Sequence, residues 1–561
     1  MRGSGSGAIR HAVISSTAAV AAVLAACVAG TQPARADRPL IYAITGATIQ
    51  TAPGKVIQNG TVVLRDGLIA AVGADAAVPA DAVKIDATGK TVHAGFIDAC
   101  AEIGMRDVPS VPAPGGGKED REAAGAGSAH PVSAIRPERR LYESLTLSDS
   151  EREKHRGLGF TTAHVLPVGG IFRGTSTLVN LGARSIADNV LLPDAAQVIG
   201  FDHTEFNREY PTSLMGAIAA VRQGFEDARR HEEWQRRWQD DPRGLRRPDM
   251  SAAWGPLADA ADGRMPVLFD AQTALRGQQS LAIAKEFGLD PWLIGSGYEL
   301  EVLEDIRAAH PRLILPIAFP DKPDVSDAVE IANVETRSLE RYFTAADNPA
   351  KVAGAGLEFA IGTCRARSVS DFKANIKRAI ASGLSADKAL AALTTVPASF
   401  FGLERSLGTI EAGKSANLVI ESGPLFGEST VPERVFVDGR EYKIKEKPKK
   451  GDPNATADPL GTWKVTWTVG SETAERTWVI SGTPGSLRGT AETRAGVVTL
   501  RSATLVGNAL TVVIPGREGS SELEVTVVIS GDTFAGDGEF FEGKLFRLKG
   551  TRTEKPKGDR L

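Results

Sequence analysis

A chain of 561 residues is too long for one ordinary core, so two or three domains are expected. An apolar fraction of 42% and a charged fraction of 24% fit a soluble globular protein able to bury a large core. The formal net charge of -4 leaves no basic footprint, which excludes nucleic acid as an expected partner.

The first 36 residues read as an address. Arg2 and Arg10 precede the apolar run AVISSTAAVAAVLAA, which is too short and too early for a membrane span, so residues 1–36 are expected to be a signal peptide or a lipoprotein signal. Two processing sites compete. LAAC, ending at Cys27, has the form of a lipidation box, and Ala34-Arg35-Ala36 has the form of an ordinary signal-peptidase site. The expected location is therefore the periplasm or the outer membrane, with membrane contact only through a lipid anchor. Cys100 and Cys364 would then lie where disulfides can form.

From Ile41 to Val92, short alternating runs such as IYAITGATIQ, TVVLRDGLIAAVG and VKIDATGKTV are separated by turn residues, which predicts a small antiparallel sheet over 37–94. Beyond Gly95 the period changes. Strand-like runs GFTTAHVL, MPVLFDA, PWLIGSG, RLILPIAF and LEFAIGT alternate with helical stretches such as LEVLEDIRAAH, the pattern of an α/β barrel over 95–404. Residues 106–135 lack periodicity and are expected to form a mobile surface loop, while Leu214, Ile218, Val221 and Phe225 share one face of an amphipathic packing helix over 208–238.

Strands return over 405–443, as a second part of the first sheet domain. A Lys- and Pro-rich linker, 444–459, follows. Residues 460–552 carry eight short strand patterns with Gly turns, which predicts a closed β barrel or sandwich with Trp463 plugging one end and 553–561 as a disordered tail. A ligand cavity inside that unit is the alternative to a filled core.

The run TVHAGFIDACAEIG, residues 91–104, resembles the barrel entry of the metal-dependent amidohydrolase superfamily, and GTIEAGKSANLVI resembles its return strand. The resemblance spans about residues 41 to 441. It implies a TIM-like (β/α)8 barrel with a composite β-sandwich domain built from both flanks. It also implies a centre of one or two divalent metals held by His-x-His, a middle Lys or Glu, two further His and a late Asp.

Here the matched positions carry other residues. Cys100 and Glu102 replace the His pair, Asp270 stands for the next His, Ser296 and Gly297 lie where another would be, and Cys364 replaces the late Asp. Cys100, Glu102, Asp270 and Cys364 are the degenerate metal positions. Asn417 occupies a place where the family prefers Asp, a structural position. The resemblance makes the first and last barrel strands neighbours, ~5 Å apart, which would bring Cys100 and Cys364 into disulfide range. Closing a loop of roughly 265 residues would stabilise by roughly 5 kcal/mol in the chain-entropy model. Alternatively Cys100, Glu102, Asp270 and Cys364 could hold zinc.

His164, Arg173, His203, Ser296 and Tyr298 are further pocket candidates. Arg173 lies among Gly169, Gly170, Gly174 and Thr175 in a run read as a loop after a barrel strand, where its planar fork could bind an anion or tie the loop down. Glu102 and Asp270 could divide general acid and base work, or simply accept hydrogen bonds from neighbouring loops. The sequence has no His-x-His or His-Glu-x-x-His spacing, nucleophile elbow or phosphate-cradling glycine loop. The expected protein is an exported one without a metal cofactor, used for binding a small molecule or peptide or for scaffolding, with a homo-oligomer possible. A hydrolase of carbon-nitrogen bonds with a remodelled site, using zinc, is the alternative.

Overall fold

The computed structural model describes residues 41–104, 130–202, 210–320, 323, 332–366, 368–444, 452, 455–469, 472–483, 486–493, 496–515, 523–539 and 545–555. Residues 1–36, read above as an export signal, Cys27 among them, and His203 lie outside them.

The two flanks of the chain build one eight-stranded sheet. Its strands are β1 (Tyr42–Ala52), β2 (Lys55–Arg65), β3 (Leu68–Gly73), β4 (Val83–Asp86), β5 (Thr91–Ala94), and, from the far flank, β16 (Leu418–Glu421), β17 (Pro432–Val437) and β18 (Arg440–Lys443). The order is β18-β17-β16-β5-β1-β2-β3, with β4 beside β1. Alternating apolar residues of both flanks, among them Ile44, Val62, Ile69, Ile420 and Phe436, share one core. Asn417 ties this sheet to the barrel: its side chain donates to Asn180 Oδ1 at 3.0 Å and accepts from Asp438 N at 2.7 Å.

The barrel uses β6 (Phe96–Ala101), β7 (Phe160–Val165), β8 (Phe172–Thr175), β9 (Thr177–Asn180), β11 (Gln197–Ile199), β12 (Val267–Asp270), β13 (Pro291–Ile294), β14 (Arg312–Pro316) and β15 (Phe359–Gly362), with β10 (Val190–Leu192) paired outside on β9. β6 and β7 run parallel, as do β11 through β15. Between these two groups, β8 and β9 form one nearly continuous strand that runs antiparallel to both neighbours, β9 against β7 and β8 against β11. Ser176 joins the halves through backbone bonds with Ala195 and Ala196. Cys364 N donates to Cys100 O at 2.8 Å and closes the last seam. The ring therefore has eight places, one of them reversed relative to a regular parallel barrel. Arg173, Gly174 and Thr175, expected in a loop, are strand residues; short polar and Gly residues concealed a buried strand.

The barrel lumen is filled. Ile97, Leu178, Val198, Leu268, Trp292, Ile294, Ile314 and Ala360 pack there with Phe401. Layers of side chains of this kind make the barrel a core rather than a pore. Outside, the helix Leu214–Asp240 is capped by Ser213, whose hydroxyl accepts from Gly216 N, and it buries Val221 and Phe225. Leu214 and Ile218 are half-buried against the same core. Residues 130–135, assigned above to a mobile loop, are packed instead: Ala134 and Ile135 are buried, and Ile135 bridges to Phe172 because the buried edge of β8 needs a partner. Among the described residues no helix is long and apolar enough to cross a membrane.

The C-terminal unit is an antiparallel meander of β19 (Gly461–Val469), β20 (Glu472–Thr483), β21 (Ser486–Thr493), β22 (Gly496–Thr499), β23 (Ser502–Val506), β24 (Ala509–Ile514), β25 (Leu523–Ser530), β26 (Thr533–Glu539) and β27 (Leu545–Glu554). Eight strands close through pairings of β20 with β19 and with β21, and β22 is an appendage on β21. Trp463 is fully buried at one end. Its indole donates to Pro459 O at 3.0 Å, and the Arg552 guanidinium lies 4.5 Å above its ring.

Candidate functional site at the barrel mouth

Cys100 and Cys364 are joined by a disulfide, with Cα atoms 5.3 Å apart. Gly362 lets the two strands approach: a Cβ there would stand 2.6 Å from Cys100 Cβ. Below the bridge, the fully buried Asp98 clasps both strands. It accepts from Cys100 N at 3.2 Å, from Thr363 N at 2.9 Å and from Thr363 Oγ1 at 2.6 Å. Burial pushes its carboxyl up to about 7 against these hydrogen bonds. His155 Nε2 lies 3.6 Å from Asp98 Oδ2, and burial pulls that imidazole down to about 4.

Arg365 follows Cys364 directly with φ of 62°, a left-handed conformation that a side chain other than glycine seldom adopts. Three partners fix it. Its N–H donates to Glu102 Oε1 at 3.0 Å, one guanidinium nitrogen donates to Asp270 Oδ1, and another donates to Gly295 O. From the reversed strand, Arg173 donates to Asp270 Oδ2 and to Asp202 Oδ2, each at 3.0 Å. Gly200 makes room, since a Cβ there would meet the Arg173 guanidinium at 2.2 Å. Burial opposes the charge on Asp270, but Arg173 and Arg365 outweigh it and hold the carboxyl below its ordinary value.

The structure thus brings together Cys100, Glu102, Asp270, Cys364 and Arg173. Ser296 is nearby in sequence order along the rim, where its hydroxyl accepts from Tyr298 N at 3.2 Å. Tyr298 lies under Arg341, whose guanidinium is 4.4 Å from its ring centre, and is thereby part of the packing of the loop after β13. His164 is not a pocket residue. It is fully buried in the lumen, with Nδ1 2.8 Å from Ala99 O and Nε2 2.8 Å from Ser176 Oγ. Burial pulls it down to about 4, so the ring is neutral and both nitrogens are engaged. Arg365, Asp202 and Asp98 were missed in the sequence. Arg365 directly follows Cys364, three residues beyond β15, and that adjacency to an expected ligand position was the available signal.

A metal centre does not fit these donors. The two sulfurs are bonded to each other, both Asp270 oxygens take guanidinium protons, and Glu102 accepts a backbone N–H. Among the described residues no three His, Cys, Asp or Glu side chains gather as a metal-holding group. The lattice of two arginines supplies positive charge where the resemblance puts metal.

Residues 322–442 match the Amidohydrolase family profile. An amidohydrolase from Thermotoga maritima MSB8 superposes with a TM-score of 0.58 at 19% identity, covering 72% of this chain and 100% of that one. The chain has the amidohydrolase fold. At that identity the likeness shows the fold alone. A prolidase complexed with N-methylphosphonate-L-proline (TM-score 0.42, 15% identity, 72% of this chain and 100% of that one) and molinate hydrolase (TM-score 0.42, 16% identity, 74% and 99%) align more loosely. No curated protein matches the chain. The barrel has an amidohydrolase-like frame, and its mouth holds a disulfide and two arginines around Asp270.

Proposed function

We propose that this chain is an exported, non-catalytic binding or scaffolding protein on an amidohydrolase frame. One observation carries the reading: each side chain at a former ligand position already has an internal partner, so none is free to activate water through a metal. Supporting it, a disulfide at this seam suits an oxidising compartment, as the leader over 1–36 and the lipidation box at Cys27 also suggest. A small molecule or peptide at the mouth, or a partner of the C-terminal barrel, would be the cargo.

Elemental analysis of the protein purified with and without added zinc, paired with hydrolysis assays on amides and Xaa-Pro dipeptides, tests the reading. Zinc far below one per chain and no turnover are expected. One zinc per chain, with turnover lost on chelation, would establish the hydrolase instead.

A further inference from the structure

The disulfide and the arginine lattice are covalently consecutive, and this couples the oxidation state of the barrel to the shape of its mouth. Cys364 carries the bond and Arg365, the next residue, carries the contacts to Glu102, Asp270 and Gly295. Arg365 holds a left-handed backbone conformation with φ of 62°. Such a conformation persists only while its surroundings over-determine it. The restraints are of two kinds: noncovalent contacts, from Asp98 to Thr363 ahead of Cys364, from Cys100 O to the Cys364 N–H, and from Glu102, Asp270 and Gly295 to Arg365 beyond it; and the covalent bond at Cys364 itself.

We propose that the Cys100–Cys364 bond is a redox latch on the mouth. In the oxidised protein Arg365 is locked onto Asp270. When a dithiol reduces the bond, two electrons and two protons pass to the sulfurs, two thiols form and the dithiol closes to its own disulfide. The turn Thr363–Arg365 then relaxes out of its left-handed conformation and Arg365 leaves Asp270, which keeps only Arg173. Both cysteines are buried, so the reductant reaches them through local opening of the seam, and the latch responds slowly. The latch does not depend on what the mouth binds, and its failure would leave the reading of a non-catalytic scaffold untouched.

The test is limited trypsin digestion of the folded protein, oxidised and after treatment with dithiothreitol, with thiol alkylation to count reduced cysteines. Both thiols should become labelled without loss of tertiary structure, and cleavage after Arg365 should rise at least about tenfold while cleavage after Lys285, inside the helix Ala274–Phe287, stays flat. The Cys100→Ser/Cys364→Ser variant should reproduce the reduced pattern. Three results would overturn the latch: a bond that resists reduction until the protein unfolds, an unchanged rate at Arg365, or an equal rise at Lys285, which would report general unfolding. Should the double variant fail to fold, the chemically reduced wild type decides alone.

Discussion

Asp98 is the residue at which burial and hydrogen bonding compete most directly. Its carboxyl, raised from 3.8 to about 7 by desolvation, is neutral in both folded and unfolded chains at low pH. Between those values the unfolded chain ionises first, so the folded state binds the extra proton and stability falls as pH rises through the interval. Above about 7 the penalty is complete, on the order of 4 kcal/mol. Asp98→Asn keeps an oxygen for Cys100 N and Thr363 N, and its amide can donate to the Thr363 hydroxyl, so it removes the charge and preserves the clasp. In urea unfolding at about pH 5 and about pH 8, the variant should gain on the wild type as pH rises. A difference independent of pH would show that the buried charge is not what titrates. His155 acts in the opposite sense: depressed to about 4, it contributes stability that is present above its ordinary value of 6.5 and lost as pH falls toward 4. It titrates in both proteins, so most of its effect cancels in the comparison.

The reversed strand shows how an element can hide in a sequence. Its residues FRGTSTLVN include four β-branched or aromatic side chains, but Arg173, Ser176 and Asn180 interrupt the continuous apolar run of a buried strand, and Gly174 within them suggests a turn. In place, Gly174 has φ of 102° and lies against Arg139 O, which a Cβ would approach to 2.3 Å. Gly174→Ala should therefore destabilise by about 2 to 4 kcal/mol through strain and crowding. Gly354→Ala, at the exposed end of the helix Asn348–Gly354 with no non-adjacent atom within 4 Å of its Cβ position, should be neutral or slightly stabilising. Urea midpoints of the two variants check this, and equal shifts would refute it. The parallel strands were legible because MPVLFDA and RLILPIAF are continuous apolar runs, as doubly covered strands must be. The disulfide followed from the resemblance, which placed its two strands side by side. The arginine lattice did not, because Arg173, Asp202, Asp270 and Arg365 are scattered along the chain and only the closed ring brings Arg173 onto Asp202 and Asp270, and Arg365 onto Asp270.

At the scale of the whole molecule, stability is divided between units with separate cores. The barrel seam is fastened by a bridge spanning 264 residues, whereas the C-terminal unit depends on side-chain packing around Trp463, Trp478, Phe534 and Phe546. Trp463 is the keystone of that packing: its ring centre lies 5.0 Å from that of Phe534 at a tilt of 45° and supports Arg552, which in turn pairs with Asp458 at 2.9 Å and Asp532 at 3.1 Å. Removing a buried indole costs about 3 to 5 kcal/mol, a large share of the roughly 5 to 15 kcal/mol that holds a domain of this size. Calorimetry of the full chain should resolve two transitions, and Trp463→Ala should lower one of them by more than about 10 °C while leaving the other in place. The unmoved transition should be the one that shifts on reduction, since the disulfide staples only the first unit. If a single transition moves with both perturbations, the two cores are one cooperative body and the β barrel is a structural buttress of the mouth rather than a separate module.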